Sequence, residues 1–335
     1  MRRLLTVALT MSLCYISSAQ NEVKEDILGE PFWQKTFVMD DDYQGKVIST
    51  LVGMHTDNKR NKAVLYVHGY NDYFFQEEMA MKFDSAGFHF FAIDLRKYGR
   101  SMLPEQTPFD VRNLDEYYAD IDSALHYIKA QDIDNIVLMG HSTGGLTVPL
   151  YASDHRNDID IKALILNSPF LDMNQSWSYE NIIIPAAAWF GGYFPEIEIP
   201  QGPSTGYAES LLKEYKGEWE YDTTMKKVIA QPLTTGWIHA IHFGQEKVQK
   251  GLDLKIPILL MCSDSSLVAD QWTPEFSQTD VVLDINDMIK YATRLGDDVE
   301  IVQIEGGMHD LILSSKAARE AAYNDIFIFL NQIGL

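Results

Sequence analysis

Cysteine is nearly absent: two in 335 residues, at Cys14 and Cys262. A framework of disulfides is therefore excluded, and so is a zinc site built on paired cysteines. Basic residues are also few, 27 Lys and Arg against 48 Asp and Glu, for a formal charge of -21. Phosphate backbones repel such a chain, which argues against nucleic-acid partners. The acidity reads most simply as solubility. Long apolar runs are missing beyond the N-terminus: Ile182 to Phe190 is about half of what a membrane helix needs. No Gly-x-Gly-x-x-Gly, no phosphate-binding Gly-rich Lys loop and no His-Glu-x-x-His occurs, so no cofactor and no metal is expected. What remains is an ordinary globular composition, 46% hydrophobic and 22% charged, long enough to bury a large core.

The first residues read as a secretory leader covering 1–19. Arg2 and Arg3 form a basic start, Leu4 to Ile16 a short apolar stretch, and Ser17-Ser18-Ala19 a small-residue cleavage site. Leu13 precedes Cys14 where a lipoprotein signal wants a small residue, so lipidation is not expected. Cleavage after Ala19 leaves Cys262 as the sole cysteine and predicts a secreted or periplasmic protein without internal disulfides. One domain is expected over 20–335.

Short β-rich runs alternate with helical patterns. Strands are expected at Val47 to Gly53, Ala63 to His68, Phe88 to Asp94, Ile136 to Gly140, Ala163 to Asn167, Ile258 to Cys262 and Val299 to Ile304. Leu114, Tyr117, Ile121, Leu125 and Ile128 form one apolar stripe at helical spacing, and Ser314 to Ile333 is helical, with Ser314 or Ser315 as cap. The alternation implies an α/β fold: a mostly parallel central sheet with helices on both faces. From about 171 to 255 the alternation fails amid aromatic, Gly and Pro clusters. So long a stretch reads as a cap inserted between strands, because a structureless loop of that size is uncommon.

The informative segment is Gly140-His141-Ser142-Thr143-Gly144, preceded by a buried strand and followed by a helical pattern. A sharp strand-to-helix turn would hold Ser142 in strained backbone angles, and the glycines let its two arms approach. Pro149, inside the following helix, predicts a kink there. Serine needs a base. His309 follows the last strand in a loop loosened by Gly306 and Gly307, whereas His141 would point away from Ser142 at a tight elbow. His126 lies on a helix, His239 and His242 fall in the cap region, and His55, His89 and His155 have no motif around them. The orienting acid should lie between Ser142 and His309 in the chain. Asp284 reads as a helix N-cap, so Asp280 is the expected acid, with Asp264 and Asp284 as alternatives; Asp270 also falls in this stretch. Two amides should form an oxyanion hole: that of Thr143 and, from the loop Val67-His68-Gly69-Tyr70-Asn71-Asp72, that of Tyr70.

At these residues the chain resembles the α/β-hydrolase family, and within it the monoacylglycerol lipase and lysophospholipase branch, also grouped as serine aminopeptidase-like hydrolases. The likeness runs from about residue 45 to 332. It rests on His68-Gly69-Tyr70, on Asp94-Leu95-Arg96-Lys97-Tyr98-Gly99-Arg100-Ser101, on Gly140-His141-Ser142-Thr143-Gly144 and on Gly307-Met308-His309. The resemblance implies a Ser-Asp-His triad, no cofactor, and a cap over an acyl pocket. The family places its acid a few residues past the strand that ends here at Cys262, where Ser266 stands; the stretch from Ser263 to Thr279 looks like an insertion that displaces the acid to Asp280.

The expected activity is hydrolysis of a small ester or lipid-like substrate, with Trp189, Phe190 and Ile182 to Ile184 lining the acyl pocket or forming the cap's own core. The cap's aromatics also admit a weak contact with a membrane surface. Two alternatives are a peptidase using Glu196, Glu198, Glu209 or Glu214 to hold a substrate amino terminus, and a non-catalytic binding protein on this fold.

Overall fold

The structure, a computed structural model, describes residues 23–335 except 58, 157–160, 202–204 and 270. The leader expected over 1–19 and the acid Asp270 lie outside the described residues. Those described form one nine-stranded sheet in the order β1-β2-β3-β5-β4-β6-β7-β10-β11. The strands are β1 (Lys24–Glu25), β2 (Phe32–Asp42), β3 (Gly45–Met54), β4 (Lys62–Val67), β5 (His89–Asp94), β6 (Asn135–His141), β7 (Ile161–Asn167), β10 (Ile258–Ser263) and β11 (Val299–Ile304). From β5 onward across β4, β6, β7, β10 and β11 the pairing is parallel, while β1, β2 and β3 form an antiparallel end. This is the mostly parallel α/β sheet of an α/β-hydrolase.

The central strands are buried on both faces, and alternation sorts their side chains between two cores. Ala63, Leu65, Val67, Ile136 and Leu138 pack into one; Val64, Tyr66, Val137 and Met139 pack into the other. Helix α2 (Tyr118–Lys129) buries Ile121, Leu125 and Ile128 against the first core, with Leu114 and Tyr117 in the 3₁₀ turn before it. The second core is closed by α1 (Glu77–Ser85) and by α8 (Lys316–Gln332), whose Ala322, Tyr323, Ile326 and Phe329 face inward. Ser315 stands at the N-cap position of α8 without a side-chain cap bond.

Helix α3 (Thr143–Asp154) runs through Pro149 without interruption. All but one of its residues are buried, so tertiary packing holds it where the missing amide would weaken an exposed helix. After β5, Asp94 organises the turn that follows. Its Oδ1 accepts from Phe74 N at 2.9 Å, and its Oδ2 accepts from Arg100 N and Nη1, each at 2.9 Å. That buried carboxylate pins the loop after β4 to the loop after β5, and so helps to place the site.

Between β7 and β10 lies an insertion. It contains a π-helical turn (Tyr179–Ile183) leading into α4 (Ile184–Gly191), then β8 (Glu198–Ile199), α5 (Gly206–Leu211), β9 (Leu233–Thr234) and α6 (Thr235–Lys250); β8 and β9 pair as a separate two-stranded sheet. Helix α6 packs Trp237, Ile238, Ile241 and Val248 into the main core. No helix among the described residues is long and apolar enough to cross a membrane.

Candidate active site

Ser142 sits between β6 and α3 with φ 52° and ψ -114°. A positive φ strains a residue with a Cβ, and it survives because the surroundings over-determine it. Ser142 N donates to Asn167 O at 3.1 Å, while Ser142 O accepts from Leu146 N and Phe170 N. The flanking glycines are required by space. A Cβ on Gly144 would fall 2.3 Å from Val67 O and 2.5 Å from His68 O, and one on Gly140 would meet Gly144 O at 2.5 Å.

The structure brings together the residues expected from the sequence. His309 Nε2 lies 3.0 Å from Ser142 Oγ, and His309 Nδ1 lies 2.8 Å from Asp280 Oδ2. All three side chains are buried. With the carboxylate accepting at Nδ1, that nitrogen carries the proton and Nε2 presents its lone pair to the serine hydroxyl. The other oxygen of Asp280 accepts from Val282 N and Leu283 N, both at 2.8 Å, which fixes the carboxylate's orientation.

The two alternative acids are elsewhere. Asp264 Oδ1 accepts from Gly306 N at 3.1 Å, and Asp284 caps α7 (Ile285–Ala292) by accepting from Asn286 N at 2.9 Å. The chain after β10 loops out and returns, so that Asp280 bridges Ser266 in parallel register. Asp280 N donates to Ser265 O, and Leu267 N donates to Asp280 O. The acid is thus displaced in sequence yet held beside the spot where Ser266 stands. Ser266 itself secures the start of α7, its Oγ accepting from Ile285 N at 2.8 Å.

The two segments expected to supply oxyanion amides both border Ser142. Thr143 opens α3, so its N–H lies in the first turn, where no carbonyl four residues earlier in the helix is available. The loop carrying Tyr70 passes so near that a Cβ on Gly69 would come 3.0 Å from Ser142 Cβ. Buried His68 orients that loop. Its Nε2 accepts from Leu95 N at 3.1 Å, so Nδ1 bears the proton and donates to Gly69 O at 2.8 Å. A trans peptide puts C=O and N–H on opposite sides, so the Tyr70 N–H is turned away from His68.

A cleft of about 470 Å³ reaches this centre, lined by Tyr70, Asp72, His141, Tyr207, Lys226 and His309 among others. A second cleft, about 440 Å³ and lined by Trp177, Glu180, Ile184, His242, Glu246 and Lys290, touches none of the three site residues. His141 has its Nδ1 bonded to the carbonyl of Asn167 at 3.1 Å, and its ring lies 4.8 Å from that of His309. Burial pushes the His141 imidazole below its usual value, against the pull of Asp310 and Asp72. The local sequence signals only the elbow and carries no sign of this ring contact. Tyr207 is a further unforeseen neighbour, edge-on to His309 at 5.7 Å.

Of the side chains expected in an acyl pocket, Phe190, Ile183, Trp189 (64% exposed) and Ile182 (58%) are at the surface, while Ile184 is half-buried against the main core and lines the second cleft. Helix α4 buries two of its small residues, Ala188 and Gly191. Gly191 abuts α6 so tightly that a Cβ there would be 2.1 Å from Thr235 O. Close backbone approach on the small face turns the large side chains outward. Cys262 is buried, and burial raises its thiol to about 12, which leaves it unreactive.

The model of one family, serine aminopeptidase S33, matches residues 58–315, more than half of the chain and every residue of this site. The chain belongs to the serine aminopeptidase S33 family. Solved structures of similar fold include a soluble variant of monoglyceride lipase from Saccharomyces cerevisiae, with TM-score 0.65 and 18% identity over 88% of this chain and 94% of that one. Another is the monoacylglycerol lipase of Paleococcus ferrophilus, with TM-score 0.59 and 16% identity over 90% and 99%. A 1-acylglycerol-3-phosphate O-acyltransferase of Arabidopsis thaliana is 29% identical over 120 residues, 34% of this chain and 28% of that protein's length. In this S33 family member, then, the family's model spans the elbow, the acid and the base together.

Proposed function

We propose that this protein is a carboxylic-ester hydrolase that works through an acyl-enzyme. The observation carrying the reading is the line Asp280–His309–Ser142, with contacts of 2.8 and 3.0 Å converging on a serine in strained backbone angles. Ser142 Oγ attacks the acyl carbon while its proton passes to His309 Nε2. His309 then gives that proton to the departing alcohol, and water repeats the cycle on the acyl-serine. Asp280 keeps Nδ1 protonated and stabilises the imidazolium. The amides of Thr143 and Tyr70 face the developing oxyanion, each worth about 3 kcal/mol of barrier.

The substrate class is a small lipid-like ester. Named structural neighbours are monoglyceride lipases, and the 470 Å³ cleft suits a ligand of that size. The insertion serves as a cap over the sheet end. Its outer face supports docking on an uncharged lipid surface: residues Asn181 to Pro195 carry no charge, and Trp177, Trp189, Tyr193 and Phe194 are exposed. The net charge of -21 opposes anionic membranes. The leader over 1–19 supports export to a secreted or periplasmic location.

A peptidase is the second reading. Asp72 favours it, a buried acid at the cleft wall that spends Oδ1 on Lys226 and whose Oδ2 has no hydrogen-bond partner among the described residues. Glu196 and Glu209 support it less, because neither lines this cleft and each is paired, with Arg112 and Lys216. The test is a panel of p-nitrophenyl esters of rising chain length against aminoacyl anilides, on wild type and Ser142→Ala. Ester turnover lost in Ser142→Ala is the expected result. Faster anilide turnover would replace lipase by peptidase. Absent turnover, with no labelling of Ser142 by a fluorophosphonate, would leave a binding protein.

A further inference from the structure

The loop that carries the Tyr70 amide is held from two sides. Upstream, His68 fixes the Gly69 carbonyl. Downstream, every residue from Asn71 to Tyr73 is tied to the insertion, some 150 positions later in the chain. Asn71 Nδ2 donates to Lys227 O at 2.8 Å, and Asn71 Oδ1 accepts from Lys227 N at 2.7 Å, a two-point pairing of side chain with backbone. Lys226 Nζ lies 2.8 Å from Asp72 Oδ1, with side-chain exposures of 8% and 1%. Tyr73 Oη accepts from Asp222 N at 2.8 Å. Asn71 itself has φ 50°, a left-handed conformation that asparagine tolerates better than most residues.

We infer that the insertion segment Asp222 to Lys227 is part of the oxyanion apparatus: Asn71 and Lys226 are positioning residues that set the direction of the Tyr70 N–H. The inference rests on the hydrolase reading above and deepens it. The physical reason is short lever length. The Tyr70 amide lies one peptide from Asn71, and a left-handed turn at that position gives the loop no helix or strand partner to keep it in place. Releasing the Asn71 pairing frees the torsions on the C-terminal side of the peptide that bears the N–H and leaves His68 alone to hold it. A donor aimed at a developing charge loses its effect with displacements near 1 Å, roughly a hundredfold in rate. A buried ion pair is an expensive way to hold a cap, because both charges must leave water. It holds a loop in one geometry well, since a desolvated lysine gives up its carboxylate only at high cost.

The test uses the full chain. Asn71→Gly keeps the positive φ at no steric cost and removes both side-chain hydrogen bonds. Asp72→Asn with Lys226→Met removes the ion pair without stranding a charge. Both are compared with wild type and Ser142→Ala for hydrolysis of p-nitrophenyl butyrate and for affinity of an alkyl trifluoromethyl ketone. Ser142 Oγ adds to the carbonyl carbon of that ketone, its proton passing to His309, and the resulting oxyanion reports the hole directly. Expected for both variants is a kcat lower by roughly 10- to 100-fold, KM within about twofold, ketone affinity reduced in parallel, and an unchanged acid limb of the pH profile. A loss of melting temperature with kcat and ketone affinity kept would make these residues merely structural and overturn the inference. A raised KM at constant kcat would also overturn it. Should Asn71→Gly not fold, the double variant decides on the same readouts. Turnover independent of Ser142 would sink the hydrolase reading; Ser142-dependent turnover with variants equal to wild type would sink this inference alone.

Discussion

Replacing Asp280 by asparagine separates orientation from packing. The side chain spends one oxygen on two backbone amides, Val282 N and Leu283 N, and the other on His309 Nδ1, all at 2.8 Å. An asparagine of the same shape must keep its carbonyl oxygen on the two N–H donors. The reverse orientation would forfeit both buried bonds, at about 1–3 kcal/mol each. Its NH₂ then faces Nδ1 and demands a lone pair there. The imidazole answers by moving its proton to Nε2, which now points a hydrogen at Ser142 Oγ across 3.0 Å. A donor cannot take the serine's proton, and the base is lost with the geometry intact. The expected loss in kcat is about 10⁴-fold, or about 5.5 kcal/mol of barrier, with KM little changed. Steady-state hydrolysis of a short p-nitrophenyl ester measures it, beside a thermal melt that should move by only a few degrees. Asp264→Asn and Asp284→Asn are the controls. Asparagine caps a helix about as well as aspartate, so Asp284→Asn should be near neutral. Asp280→Asn retaining more than a tenth of wild-type activity, or a larger loss in Asp264→Asn, would refute the argument.

Gly144→Ala forces a methyl to within 2.3 Å of Val67 O, and the elbow must move from β4. The expected cost is about 1–3 kcal/mol of stability with most of the activity, read by a melt and by ester hydrolysis. Asp287→Asn tests a strained acid. Burial, with Asp172 nearby, raises the Asp287 carboxyl to about 6, so the folded state holds a proton that the unfolded chain has released. That contribution to stability is present below about pH 4 and is lost as pH rises through 6; the amide should therefore stabilise the protein at pH 8, by at most about 1 kcal/mol after solvent screening, and not at pH 4. Chemical denaturation at the two pH values decides it. Trp189→Ser with Phe194→Ser should lower partitioning onto phosphatidylcholine vesicles by roughly tenfold or more while hydrolysis of a soluble ester persists, since each ring carries about 150–250 Å².

Ser142 and His309 are legible because their signals are local: a glycine-flanked serine after an apolar strand, and a histidine in a glycine loop after the last one. Continuous apolar runs likewise announce the strands buried on both faces. Strand β2 is not announced. Its interior mixes Gln34, Lys35 and Asp40 to Asp42 with the apolar residues, so no clean two-residue period marks it, and it forms because β3 offers it a partner. Asp280 can be favoured but not separated from Asp264 by pattern alone. What decides it is a long-range pairing, Ser266 with Asp280, that no local propensity encodes. The insertion's aromatics are legible as a group but not in direction. Whether Trp189 faces in or out depends on Ala188 and Gly191 admitting α6 to the opposite side.

The same division explains which parts of the site are exposed to mutation at a distance. The nucleophile and the base loop are held mainly by neighbouring sheet strands through Asn167, the base loop with one further bond to the insertion, from Asp310 N to Tyr207 Oη at 3.1 Å. The acid depends on a looped-out segment finding β10 again, and the Tyr70 amide depends on Asn71 and Asp72 finding Lys227 and Lys226. Both come from tertiary contacts across many residues, and the second rests on the insertion, so destabilising the insertion should misplace the Tyr70 amide before it unfolds the sheet. Partial denaturant titration should then show loss of ester turnover ahead of the loss of far-UV signal, while Ser142 and His309 remain in register. Coincident transitions would show instead that insertion and sheet unfold as one unit, and that the oxyanion loop is as secure as the elbow itself.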